Sequence, residues 1–159
     1  MTQLVVSPAV AWHEAGHAVA YVVHRVRFRT VTARCTLPGI AGMVGLDKLP
    51  ADPRVRAVVA HCGPLAEARW QLLRHQGTGP TWDADRRRYE AAAYDTGGGA
   101  DMDTVRGALQ ALHSAGDPYR DVGRDLIRLN WRPIERVAAA LVERDLSHLE
   151  VVGLAGAVW

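Results

Sequence analysis

From Val5 to Val23 the chain is almost continuously apolar, yet Pro8, His13, Glu14 and His17 interrupt the run. Three ionisable residues argue against a bilayer span and predict a buried helix of a globular core. Ser7-Pro8 supplies its start: a hydroxyl N-cap, then proline where a missing N–H costs nothing. The helix is expected to reach about His24. Val26 to Thr32 alternates apolar and polar positions and is rich in β-branched residues, the pattern of a half-buried strand. Gly39, Gly42 and Gly45 then punctuate an expected hairpin containing Met43-Val44.

Asp52-Pro53 repeats the N-cap and proline start, and its helix is expected to reach about Arg74, bent at Gly63-Pro64. A loop at Gly77 to Pro80 precedes a short polar helix, Thr81 to Tyr94, ended by Gly97-Gly98-Gly99. Further helices are expected at Asp101–Ser114, from Asp117-Pro118 to Asn130, at Pro133–Arg144, and from about His148. The pattern predicts a mainly α (α+β) fold, a helical domain with a small β-sheet or hairpin next to the histidine-bearing helix. At 159 residues, one domain spanning 1–159 is expected.

Composition changes this picture little. With 48% hydrophobic and 23% charged residues, a globular protein is expected. A net charge of +2 excludes a strongly basic surface, so neither nucleic acid nor a membrane is an expected partner. Arg86-Arg87-Arg88 is balanced by Asp83, Asp85 and Glu90 and reads as a solvated face. Cys35 and Cys62 form no CxxC pair or disulfide framework, which fits a reducing, cytoplasmic setting. The chain opens with no basic n-region or cleavage-like site, so no signal peptide is expected.

The chemistry is concentrated in His13-Glu14-Ala15-Gly16-His17. On a helix, residues four apart share a face, so both imidazoles can reach one ion. Glu14, one position further round, can meet a water at that ion without ligating it. Zinc lowers the pKa of such a water, and a carboxylate takes its proton. Two histidines and a glutamate buried without a metal would instead need several polar partners. His61 and His113 read as surface or hydrogen-bonded core histidines.

The segment Ala11 to Ala20 resembles the HEAGHA helix in the peptidase domain of FtsH-type AAA+ metalloproteases. Phe28 to Ala33 is similar to that domain's next strand, and Gly39 to Pro50 to its glycine-containing hairpin. Cys62-Gly63-Pro64-Leu65-Ala66-Glu67 resembles its aGrxAE helix, and Trp131 to Leu149 its C-terminal helical stretch. The resemblance covers nearly the whole chain and implies a zincin-like zinc endopeptidase holding one Zn²⁺. It implies metal ligands His13, His17 and an aspartate opening a later helix, with Glu14 as catalytic base. Gly98-Gly99-Ala100-Asp101-Met102-Asp103 offers Asp103 at that position, with Asp101 as an alternative, and Thr78 to Asp83 offers Asp83. Val105, Ala108, Leu109 and Leu112 follow Asp103 at helical spacing, whereas the residues after Asp83 are too polar to pack on a buried helix, so Asp103 is the expected ligand. Glu67 is placed beside the metal, either accepting from a ligand histidine or pairing with neighbouring backbone or an arginine. The stretch 74–97 becomes an insertion relative to the family, suited to a flap beside the cleft.

No GxxxxGK[ST] loop is present, so the implied activity is ATP-independent and directed at peptides or unfolded and exposed protein segments. The strand at Phe28–Thr32 or the hairpin near Met43–Leu46 is suited to pairing with an extended peptide. The rival reading is a regulatory zinc-binding domain that holds a protein partner without cutting it. Oligomeric state and the groups that bind substrate are left open.

Overall fold

A computed structural model describes residues 6–34, 41–75 and 82–156. Among them the order is α1 (Pro8–Val23), β1 (Thr30–Thr32), β2 (Met43–Gly45), α2 (Pro53–Arg74), α3 (Trp82–Thr96), α4 (Gly99–Ala111), α5 (Tyr119–Leu129), α6 (Trp131–Glu143), β3 (Leu146–Ser147) and α7 (His148–Ala155). The fold is mainly helical with a small antiparallel sheet, as the residue pattern predicts. Cys35, Gly39 and the loop expected at 77–80 lie outside the described residues.

The helix starts follow from local chemistry. Asp52 caps α2 by accepting from the Arg54 amide at 2.8 Å. Ser147 and Glu150 form a reciprocal capping box on α7. Ser7 holds the N-cap position of α1, but its side chain makes no capping bond. α2 is a single helix through Pro64.

The first strand is shorter than the alternation from Val26 suggests. Arg25 turns the chain with φ 57°, and the Val26 amide bonds back to Tyr21 O at 2.9 Å. Ladder pairing begins only at Thr30, opposite Gly45. On its other side β1 pairs with β3, a two-residue strand the sequence does not announce, giving the order β2-β1-β3. β2 is therefore an edge strand.

α1 and α2 form the centre. Gly16 lets them approach closely, because a Cβ there would run into the Cys62 carbonyl and lie 2.7 Å from Ala66 Cβ. α2 also packs against α3, α4 and α5, while α6 and α7 cover the other side of α1. The apolar core joins Val19, Val59, Leu65, Ile127, Ile134 and Leu141 from four helices. α3 lies along α2, burying Glu90 and Ala93, and only Thr96 and the following Gly97 reach the cavity beside α1. Among the described residues, no helix is long and apolar enough to cross a membrane.

Candidate metal centre

His13 and His17 project from α1 toward α2 and are both under a tenth exposed. Behind His17, Nδ1 donates to Val59 O at 2.8 Å. A carbonyl only accepts, so in the neutral ring this bond fixes the proton on Nδ1 and leaves Nε2 bare. Behind His13, Nδ1 lies 3.1 Å from Glu67 Oε2, which accepts its proton in the same way. Gln71 in turn donates to Glu67 Oε1 at 3.1 Å. Glu67 is thus a carboxylate orienting a histidine from behind, a partner typical of metal-ligating imidazoles.

The two bare nitrogens face each other at 3.1 Å. Asp101 completes the group, with Oδ2 3.1 Å from His13 Nε2 and Oδ1 3.2 Å from His17 Nε2. Three lone-pair donors therefore converge, and they repel unless a cation or protons lie among them. A tetrahedral ion with ligands near 2.0–2.1 Å places its donors about 3.3 Å apart, so the observed spacings suit one. The group His13, His17 and Asp101 can hold a metal ion. With no ion, protons must serve. Burial alone would lower the His13 pKa, but hydrogen bonds to Asp101 and Glu67 and the charge of Glu14 raise it to about 10. Burial likewise opposes the charged form of His17, and Asp101 overrides it.

This geometry corrects the expected third ligand. Asp103 is exposed and pairs with Arg106 at 2.8 Å. Two residues on a helix turn through about 200°, so Asp101 and Asp103 cannot share a face. The signal was available: Asp101, Val105 and Ala108 stand at i, i+4 and i+7, and the latter two are buried. Asp103 lies on the opposite, solvated side with Arg106. Asp83 is also exposed, 3.5 Å from Arg86.

Glycine makes the convergence possible. A Cβ at Gly63 would overlap His17 Nε2 and lie 2.7 Å from His13 Nε2, where the donors meet. Across the cavity, Gly42 approaches Glu14, and a Cβ there would be 2.6 Å from Glu14 Cγ. Glu14 is buried, yet no described residue hydrogen-bonds its carboxylate. Burial raises its pKa, and His17 and His13 pull it back.

Glu14, both histidines and Asp101 line one cavity of about 240 Å³. Its walls include Tyr21, one turn beyond His17, and Met43 and Val44 of the edge strand β2. Arg56 and Leu49 close the side toward the start of α2. Burial, Asp101 and Glu14 push the Tyr21 phenol up to about 12, so it remains a proton donor. Neither Tyr21 nor Arg56 stands out in the sequence, although Tyr21 continues the i, i+4 series of His13 and His17.

His61 and His113 stand apart from this group. His61 is buried, with Nδ1 2.6 Å from Tyr94 Oη and Nε2 2.8 Å from Asp117 Oδ2, a hydrogen-bonded core histidine. His113 lies on the surface with φ 50°. Compared with known proteins, the chain matches no family model and no curated protein sequence.

Proposed function

We propose that the protein is a zinc-dependent, ATP-independent endopeptidase acting on peptides or exposed protein segments, similar to the peptidase domain of FtsH-type proteases. One observation carries this reading: Glu14, buried and with no hydrogen bond to its carboxylate among the described residues, shares a cavity with the converging donors of His13, His17 and Asp101. Two imidazoles and a carboxylate with a further position open to the cavity are a ligand set suited to catalytic zinc. When bound, zinc supplies a Lewis acid that lowers the pKa of a water and polarises a carbonyl.

The chain's own residues supply the rest. His13 and His17 are held by Glu67 and the Val59 carbonyl, so their nitrogens need no reorientation. Glu14 takes the proton of the attacking water and passes it to the leaving amine. The Tyr21 hydroxyl donates to the oxygen that gains charge at the scissile carbonyl. The edge of β2 that is unpaired among the described residues, at Met43 and Val44, pairs with extended substrate backbone and brings it across the cavity.

The test combines metal analysis with turnover of a peptide library by wild type and Glu14→Gln. One zinc per chain in both proteins, with hydrolysis only by wild type, is the expected result. Zinc in both with hydrolysis by neither favours a binding domain, and no metal in either removes the proposal.

A further inference from the structure

We infer that Arg56 makes this site select peptides bearing a carboxylate near the bond to be cut. The inference rests on the peptidase reading and names its substrate class. Arg56 stands in the first turn of α2, and its Nη1 donates to Pro50 O at 2.8 Å and Ala51 O at 3.2 Å. These two bonds fix the guanidinium against the 50–51 backbone, and Arg56 is among the residues that line the metal cavity.

Three observations point to an anionic partner. Among the described residues, Arg56 is the only lysine or arginine lining that cavity. None of the ion pairs among the described residues engages it, although a guanidinium bonded through one nitrogen keeps its other N–H donors available. Leu49 and Met43, which line the same cavity, are apolar and offer the guanidinium no competing hydrogen-bond acceptor from their side chains. Arginine binds carboxylates through paired N–H bonds, with directional as well as electrostatic preference.

The rest of the cavity decides where such a group can sit. Cleavage requires the neutral peptide group to lie at the donors beside Glu14, so a carboxylate elsewhere on the same peptide is left to pair with Arg56. Two parts of a peptide supply this chemistry: an aspartate or glutamate side chain, or the C-terminal carboxylate.

The experiment uses the zinc-loaded full chain, as wild type, Glu14→Gln, Arg56→Met, Arg56→Lys and Arg56→Glu. Three labelled peptides of one sequence are compared: neutral and amidated, amidated with one internal glutamate, and neutral with a free C-terminus. Binding is read by fluorescence anisotropy on every protein, and cleavage by mass spectrometry on all except Glu14→Gln. At least one carboxylate-bearing peptide is expected to bind wild type and Glu14→Gln about tenfold more tightly than the neutral one. Preference for the internal glutamate identifies the side chain as the recognised group, and preference for the free C-terminus identifies the chain end. Arg56→Met should erase the difference with zinc content unchanged, Arg56→Lys should retain part of it, and Arg56→Glu should reverse it. Equal binding of all three peptides to wild type, or a preference that survives Arg56→Met, overturns the inference. Selective binding without cleavage by wild type would instead sink the peptidase reading while leaving Arg56 as the carboxylate anchor.

Discussion

His13 and His17 face each other across 3.1 Å, Nε2 to Nε2, one turn apart on α1. Each ring is aimed from behind, by Glu67 and by the Val59 carbonyl, and the space between them exists because position 63 has no side chain. The helix supplies the pair, and α2 sets its direction.

The first prediction separates two aspartates that the sequence leaves adjacent. Asp101→Ala should weaken zinc binding by about 100-fold or more, the upper range seen when even an orienting group is lost. Asp103→Ala removes only a surface pair with Arg106, so its zinc affinity should match wild type and its stability should stay within about 0.5 kcal/mol. Competition titration against a chromophoric chelator measures both, and equal losses would overturn the assignment.

Metal removal should be visible in stability. An ion present at about a hundred times its Kd stabilises the folded chain by about 2.7 kcal/mol. For a chain of this size a chelator should then lower Tm by roughly 5–10 °C in calorimetry. Zinc needs both Nε2 lone pairs, and protons compete for them, so affinity should fall as pH drops. An affinity flat with pH would show that the histidines are not the ligands.

Tyr21→Phe tests the proposed oxyanion donor. The ring and its packing against Phe28, 6.3 Å between centroids, are retained while the O–H is lost. The expected result is a kcat lower by about 100-fold, with KM and zinc content little changed. A change confined to KM would assign Tyr21 to substrate binding instead.

Glu90 provides a prediction away from the cavity. Its carboxylate is buried and accepts from Arg124 at 2.8 and 2.9 Å and from Arg120 at 3.2 Å, with Arg86 at 3.4 Å. Burial would raise its pKa, but the bond from Arg124 and the charges of Arg124, Arg120 and Arg86 hold it below the ordinary value of 4.5. The contribution to stability is therefore complete above that value and is lost as pH falls through the folded pKa. Glu90→Gln should cost roughly 1–3 kcal/mol at pH 7, less than a fully buried pair because the arginines are about a third exposed. Urea midpoints of the two proteins should converge as pH is lowered, and a gap that stays constant would exclude the charge as its cause.

The sequence by itself determined what depends on neighbours along the chain. Proline marks the starts of α1 and α2, Asp52 caps α2, and apolar spacing sets the helical content. The four-residue interval of His13 and His17 already puts two imidazoles on one face, because a helix converts sequence distance into direction. The four-residue interval alone does not choose the third donor, since Asp101 and Asp103 differ in which side of α4 packs on α2. Packing decides that, through Val105 and Ala108. Glu67 behind His13, the open point at Gly63, and Tyr21 and Arg56 in the lining of one cavity are likewise tertiary. Each joins elements far apart in sequence, and no local periodicity carries the distance between them.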